Sequence, residues 1–272
     1  MRGSVSSQSA GGRSVSLVPF LFGVAQRAEL PGVGLTRLLG DFGLSEAAAR
    51  ALLLRMRQEG QVESIRRGRG AGYRLAGEYG RRFDRVRAGD RAAQPEWPGS
   101  FHALLYQVPE SSRAFRDALR RAAVGLGYGQ LQQGVLIALE DRTAQLGALA
   151  DPPADAQLFV TRLAMDAADA ARAARIAWDL DELGRTYAEH TETLNAALAE
   201  LAAPPEPCAE TLLRYSDLLK TPMTETLRSP RLPDALLPDG WPVPALWRAI
   251  GEVQRVYGPA ASAYVTAVLD AS

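Results

Sequence analysis

The sequence of 272 residues contains few of the side chains from which metal centres and covalent catalytic sites are built. Its single cysteine, Cys208, excludes an internal disulfide bond and fits a reducing, cytoplasmic compartment. Its two histidines, His102 and His190, are far apart in the chain and belong to no metal-ligand spacing. A Gly-x-Ser-x-Gly turn and a phosphate-loop lysine are both missing. We therefore expect a protein that is not an enzyme and that carries no cofactor and no metal.

Long hydrophobic runs are also missing, because no apolar segment approaches the roughly 20 residues that span a bilayer. The apolar run Leu17–Ala25 follows Arg13 and could pass for a short signal peptide. Its large side chains fall at helical spacing, however, which favours the first helix of a folded domain. Residues 1–16 are rich in Ser and Gly, and we predict a disordered tail there. We expect no membrane partner.

Lysine is almost absent, since Lys220 is the only one, and the arginines are unevenly distributed. Residues 1–94 hold 16 Arg against 8 Asp and Glu, a net charge of +8. The remaining 178 residues hold 15 basic and 23 acidic side chains, a net charge of −8. A basic segment joined to an acidic body indicates that the amino-terminal part binds a polyanion.

Residues 17–60 have the pattern of three short helices, the first over about 17–28. The second and third carry apolar stripes at i, i+3, i+4 and i+7, separated by Gly43 as a turn and Ser45 as a helix cap. The stripe residues are Leu35, Leu38, Leu39 and Phe42 in the second helix, and Ala49, Leu52, Leu53 and Met56 in the third. Two amphipathic helices joined by a tight turn that contains Gly predict a helix-turn-helix.

Two strand-like segments, 62–65 and 73–75, then enclose a turn with three arginines and three glycines. Glycines let a tight tip approach a sugar–phosphate backbone, and arginines neutralise its charge. A dinucleotide-binding loop would open a helix instead. Residues 17–94 are therefore predicted to form a winged helix-turn-helix that binds double-stranded DNA. A winged helix that binds protein, as an assembly adaptor, is the alternative.

The predicted DNA contacts lie on the third helix and on the wing. Small and apolar side chains at the exposed centre of the helix allow close approach to the major groove. Arg50 and Arg57, on one margin, are predicted to reach guanine edges, whereas Arg55 and the wing arginines are predicted to bind phosphate. The full set is Ser45, Ala47, Arg50, Ala51, Leu54, Arg55, Arg57, Gln58, Arg66, Arg67, Arg69 and Arg74.

A further helix is predicted at about 76–89 and a linker at 94–99. After the linker the spacing of apolar residues changes, and strand patterns alternate with helical ones. Strands are predicted over 101–108, 135–139 and 157–163, and helices over 111–124 and 142–149. This alternation indicates a small ferredoxin-like sandwich over 95–170, with 125–129 as a helix stop and turn.

From Asp166 the chain is predicted to be helical, and a helical domain would occupy 171–272. One stripe runs from Ile176 through Leu180, Leu183 and Tyr187. Two more helices are expected over 209–227 and 245–269. The predicted fold class is α+β, mainly helical.

Several short motifs occur in a specific order over residues 17–269. They are Pro19-Phe20-Leu21-Phe22-Gly23, Leu44-Ser45-Glu46, Arg50, Arg55, Glu59-Gly60, the 68–75 wing with Tyr73, Gly127-Tyr128-Gly129 followed by Gly134-Val135, and Leu232-Pro233-x-x-Leu236-Leu237-Pro238-x-x-Trp241-Pro242. In this order the chain resembles the phenylacetic acid degradation repressor (PaaX-like) family of transcriptional regulators.

The resemblance implies a winged helix-turn-helix, a ferredoxin-like (Cas2-like) middle domain and a helical carboxy-terminal domain. It also implies a homodimeric repressor of aromatic-acid catabolic genes that an acyl-CoA effector such as phenylacetyl-CoA releases. The chain departs from the family at Leu54 and Gln61, so the operator sequence does not carry over. Effector-binding residues are unknown, although Trp178, Trp241 and Trp247 could line a pocket or pack in the core.

A second class of function is a nuclease or RNA-processing enzyme built on the Cas2-like domain. It would need carboxylates at strand ends to hold a metal ion. The first predicted strand of the middle domain offers His102 and no acid, which favours the regulator.

Overall fold

The computed structural model describes residues 16–67, 70–77, 80–81 and 96–272, without the side chains of Arg67, Leu227 and Arg228. Arg69, residues 1–15 of the predicted tail, most of the predicted 76–89 helix and the start of the predicted linker lie outside the described residues. The chain divides into two compact units. The first comprises Met1–Ala92, Thr193–Thr224 and Arg248–Ser272, and the second comprises Ala93–Glu192 and Glu225–Trp247. The domain boundaries predicted from the sequence, 17–94, 95–170 and 171–272, stay predictions.

The amino-terminal part of the first unit is a winged helix-turn-helix. In chain order its elements are α1 (Leu17–Ala25), β1 (Leu30–Pro31), α2 (Gly32–Asp41), α3 (Glu46–Gln58), β2 (Val62–Arg67) and β3 (Gly70–Leu75). The three strands form an antiparallel sheet in the order β1-β3-β2, with Leu30 opposite Tyr73. Apolar side chains from every helix are fully buried beneath it, among them Phe22, Leu35, Leu38, Leu53 and Met56. Burial of these side chains provides the main stabilisation of the domain.

Long helices follow in the carboxy-terminal half of the chain: α6 (Leu180–Ala199), α7 (Ala209–Arg228) and α8 (Val243–Asp270). The division between the two units falls inside all three helices. Within the first unit, the Tyr215 ring of α7 lies 5.7 Å from the Phe20 ring of α1. Burial raises the pKa of Tyr215 to about 12. The first unit thus combines the helix-turn-helix with helical segments that are distant in sequence.

The second unit contains four strands, β4 (Ser100–Gln107), β5 (Gly129–Gln132), β6 (Val135–Ala138) and β7 (Gln157–Ala164), and α4 (Arg113–Gly125) joins β4 to β5. The strands form an antiparallel sheet in the order β5-β6-β4-β7. This strand order is that of a ferredoxin-like sandwich. A 3₁₀ segment, Thr143–Ala150, stands between β6 and β7 where an α-helix would complete the pattern. The predicted fold class, α+β and mainly helical, is confirmed.

Two apolar clusters pack on the two faces of this sheet, because successive strand residues point to opposite faces. On one face, Leu104 and Leu136 pack with Leu119 of α4 and Leu146 of the 3₁₀ segment. The other face is covered by α5 (Ala167–Ala177), the start of α6 and a 3₁₀ turn at Asp234–Leu236. Phe101 and Ala103 anchor that second cluster.

Two predictions about the second unit were wrong. The segment 125–129 ends a helix as expected, but strand β5 begins at Gly129 and was missed. A Cβ at Gly129 would lie 2.7 Å from the Trp178 ring, so this strand depends on a close approach that only glycine permits. Ile176 does not continue the buried stripe into α6 and is 63% exposed. Asp179 has a left-handed φ of 46°, which interrupts the helix and resets its buried face.

Candidate nucleic-acid interface

The position of α3 is fixed by turns at both of its ends. Gly43, with a φ of 83°, makes the turn after α2, and the Ser45 hydroxyl accepts a hydrogen bond from the Ala48 amide at 3.2 Å. At the other end Gly60 adopts a φ of 68°, and the Gln61 amide donates to the Met56 carbonyl at 2.8 Å. These are an amino-terminal cap and a Schellman-type end. The Ser45 cap predicted from the sequence is present.

The two faces of α3 have opposite character. Ala49, Leu52, Leu53 and Met56 are buried against the rest of the domain. The outward face carries small, apolar and amide side chains, all exposed: Ala47, Ala51, Leu54 and Gln58. Leu54 is 46% exposed although it is a large apolar side chain. Such a face can approach the major groove closely, where an apolar side chain can contact a thymine methyl group.

The arginines of α3 are exposed but differ in their partners. Arg50 forms an ion pair with Glu46, four residues earlier on the same helix. Arg55 and Arg57 have no ion-pair partner among the residues that the structure describes. Exposed pairs of this kind hold their partners weakly. The Arg57 side chain can therefore bind a polyanion directly, whereas Arg50 must first break its ion pair with Glu46.

The wing presents its charge along β2. Arg66 is exposed and has no ion-pair partner within the described part of the chain. Arg74, on β3, donates to Glu29 at 2.5 Å and is half exposed. Arg67 is the last residue of β2 and pairs with Gly70 across the hairpin. Its side chain and the whole of Arg69 lie outside what the structure describes, so Arg66 is the one arginine of the predicted wing tip whose side chain is described.

An open groove of about 490 Å³ lies between α2, α3 and β3. Thr36 and Arg37 line it from α2, Arg50 lines it from α3, and Tyr73 lines it from β3. Arg37 is exposed, and no ion-pair partner is found for it within the described ranges. The sequence interpretation missed Arg37. The signal was available, because Arg37 lies on the side of α2 opposite its apolar stripe.

Both histidines lie in the second unit, each close to one carboxylate. His102 Nδ1 lies 3.9 Å from Asp141 Oδ2. His190 Nε2 lies 2.6 Å from Glu225 Oε2. Within the described ranges, no group of three or more His, Cys, Asp or Glu side chains is arranged to hold a metal ion.

The tryptophans predicted as pocket or core residues have defined neighbours. Trp178 donates through Nε1 to the Gly127 carbonyl at 3.2 Å and packs against the Phe101 cluster. The Trp241 ring lies 5.8 Å from the buried Tyr187 ring in an edge-to-face arrangement. Trp247 is exposed. The first two therefore contribute to packing.

None of the helices that the structure describes combines the length and hydropathy needed to cross a bilayer.

The chain matches three protein-family descriptions in succession. Residues 13–79 match "PaaX-like protein", residues 94–174 match "PaaX protein central Cas2-like domain", and residues 178–267 match "PaaX-like protein C-terminal domain". No curated protein matches the chain. Among solved structures, the uncharacterized protein Rv0674 from Mycobacterium tuberculosis shares the fold, with a TM-score of 0.56 and 24% sequence identity. The match covers 94% of this chain and 98% of that one. Since the three family matches cover most of the chain in order, the protein belongs to the PaaX-like family, whose members are transcriptional regulators.

Proposed function

We propose that the protein is a homodimeric repressor that binds double-stranded DNA and is released by a small acidic or acyl-CoA effector such as phenylacetyl-CoA. In this proposal α3 enters the major groove and the β2–β3 wing lies along the sugar–phosphate backbone. The protein works in the cytoplasm without catalysis, metal or cofactor. Residues 17–94 carry the DNA contacts, and the rest of the chain serves dimerisation and effector response.

The exposed face of α3 is the observation that carries the proposal. A helix of an isolated bundle normally covers its outward face with both signs of charge. Here the centre is Ala47, Ala51, Leu54 and Gln58, and the single acid of the helix, Glu46, is its first residue. A close-fitting centre with arginines on both margins matches the floor and the phosphate walls of the major groove.

The groove between α2, α3 and β3 offers a binding site for a DNA phosphate group. Arg37 and Arg50 line it, and the Thr36 and Tyr73 side chains offer further hydrogen-bond donors. A sugar–phosphate strand that passes between α3 and the wing would run along this groove. Binding there would exchange the Arg50–Glu46 pair for an Arg50–phosphate contact, which is charge-assisted and bidentate.

The homodimer is supported by the edge of the second unit's sheet. Strand β7 is an edge strand and exposes two neighbouring apolar side chains, Phe159 at 59% and Val160 at 48%. It carries no acid, and Arg162 is its single charge. An edge of this kind can pair with the same edge of a second copy about a two-fold axis.

Sedimentation of two variants tests the dimer. Phe159→Glu introduces a charge at the proposed interface and should produce monomers at micromolar concentration. Val124→Glu, at an exposed apolar position on α4, is the matched control and should remain dimeric. A monomeric wild-type protein with intact DNA binding would contradict the dimer.

Binding of a labelled promoter fragment, measured over a series of salt concentrations, tests the proposed DNA function. We expect binding to the intergenic region beside the protein's own operon to exceed binding to a scrambled duplex, with affinity falling as salt rises. An assembly adaptor would show no such discrimination.

Thermal-shift measurements with acyl-CoA thioesters test the effector. If no thioester stabilises the protein or changes its DNA affinity, this effector class is wrong.

A further inference from the structure

The last turns of α8 pack directly against α2, the first helix of the helix-turn-helix. A Cβ at Gly34 would lie 2.8 Å from the Ser272 hydroxyl, 2.9 Å from Leu269 Cδ2 and 3.2 Å from Leu269 Cα. Gly34 is buried, and Leu269 is 2% exposed. The two helices therefore meet at a distance that only glycine allows.

Two polar contacts join α8 to the residues on either side of Gly34. The Tyr264 hydroxyl donates to an Asp41 carboxylate oxygen at 2.8 Å, at the last residue of α2. Burial, together with Asp41, raises the pKa of Tyr264 to about 12, so the hydroxyl stays protonated and donating at neutral pH. Arg27 Nη1 donates to Asp270 Oδ1 at 2.7 Å, shortly before α2 begins. This contact lowers the pKa of Asp270.

These contacts hold α2 before its start, in its first turns and at its end, all from one helix. The turn that follows α2 spans only residues 42–45 before α3 begins. Seven side chains of α2 and α3 are buried in the domain core: Leu35, Leu38, Leu39, Ala49, Leu52, Leu53 and Met56. A displacement of α2 is therefore passed on to α3, because packed helices move as a unit.

We propose that Tyr264, Leu269 and Asp270 are positioning residues for DNA binding, an inference that rests on the proposed DNA-binding function. They fix α2, and through it the angle at which α3 meets the major groove, without contacting DNA themselves. Readout of base edges tolerates little displacement, since bidentate hydrogen bonds need fixed geometry. Specific affinity thus depends on residues more than 200 positions away in sequence from α3.

The direction in which Asp270→Asn changes DNA affinity separates a positioning role from a purely electrostatic one. Asp270→Asn removes a negative charge from the unit that binds a polyanion. If Asp270 acted only through its charge, the variant would bind DNA more tightly. As a positioning residue, its loss frees Arg27 and loosens α2, so the variant should bind a promoter fragment about two- to tenfold more weakly.

Asp217→Asn is the matched control, because Asp217 is an exposed acid of α7 in the same unit with no ion-pair partner in the described part of the chain. It should bind the fragment as tightly as the wild type, or slightly more tightly. Tyr264→Phe removes only the hydroxyl and should weaken binding like Asp270→Asn. The double variant Arg27→Asp/Asp270→Arg keeps the net charge, restores an ion pair of reversed polarity, and should recover most of the lost affinity.

The experiment is a set of fragment-binding isotherms at two salt concentrations, with thermal midpoints measured in parallel. We expect the single variants to lose affinity for the promoter fragment more than for a scrambled duplex, with an unchanged salt slope, because no phosphate contact is removed. If Asp270→Asn and Tyr264→Phe bind the promoter fragment as tightly as Asp217→Asn does, the positioning role is wrong, while the proposed DNA-binding function still stands. A wild-type protein without any preference for a promoter fragment would contradict the proposed function instead, and the inference with it.

Discussion

Replacing Gly34 with alanine, at the contact between α2 and α8, changes the free energy of unfolding in two opposite ways. In a helix, alanine is favoured over glycine by about 0.5–1 kcal/mol. The added methyl group would lie 2.8 Å from the Ser272 hydroxyl and 2.9 Å from Leu269 Cδ2, which can rotate away. It would also lie 3.2 Å from Leu269 Cα, which is backbone and cannot. Overpacking of this kind costs about 1–3 kcal/mol, so packing outweighs propensity.

We therefore expect Gly34→Ala to lower the free energy of unfolding by about 1–2 kcal/mol. Urea denaturation followed by circular dichroism measures this directly. Gly251→Ala is the control, since Gly251 lies on the exposed side of α8 with nothing within 4 Å of its added Cβ. That variant should gain stability, by up to about 1 kcal/mol. A Gly34→Ala protein as stable as the Gly251→Ala protein would refute the close packing of α2 against α8.

Three further predictions concern charges on the first unit. Arg66→Ala should weaken binding to specific and random DNA about equally and reduce the salt slope by about one unit, as shown by titrations at several salt concentrations. Arg57→Ala should cost about 1–3 kcal/mol on the operator and far less on a scrambled duplex in the same titrations. Glu46→Gln should strengthen binding to both duplexes by about two- to fivefold, because it releases Arg50 and removes an acid. Unchanged or weaker binding would argue against phosphate binding in the groove between α2, α3 and β3.

An alkaline titration tests the burial of Tyr215. Its pKa is raised in the fold to about 12 from an ordinary value of 10.0. The protonated hydroxyl therefore contributes stability that is fully present below pH 10 and is lost as the pH rises towards 12. Ultraviolet absorbance should show late-ionising tyrosines, and Tyr215→Phe should remove one of them. Ionisation of every tyrosine near the ordinary pKa in the folded protein would contradict this packing.

Local signals in the sequence were sufficient for the helix-turn-helix. The stripes of α2 and α3 identified their buried faces, and Ser45 and Gly60 marked where α3 begins and ends. The wing followed from its glycines and arginines. These features depend on residues within a few positions of one another, where backbone preference and side-chain periodicity act directly.

Long-range packing explains what the sequence did not show. Strand β1 has only two residues, one of them Pro31, and exists because it pairs with β3. Strand β5 depends on the contact between Gly129 and Trp178. The attachment of α8 to α2 through Gly34 leaves no local pattern at all.

The candidate site divides in the same way. The Arg50–Glu46 pair follows the i, i+4 spacing and was foreseeable from helix geometry. The pairing of Arg74 with Glu29 joins residues 45 positions apart and was not. Arg37 could also have been identified, because it lies opposite the apolar stripe of α2.

Nuclease protection of the intergenic DNA beside the protein's own operon tests whether the protein binds a specific DNA sequence. We expect a protected region made of two related half-sites whose centres lie about one helical turn, 10–10.5 base pairs, apart. Arg57→Ala should abolish that protection at a concentration where the wild type gives it in full, and an acyl-CoA effector should weaken it. Uniform weak protection of all sequences, or none at any concentration, would contradict the assignment of this chain as a sequence-specific DNA-binding regulator.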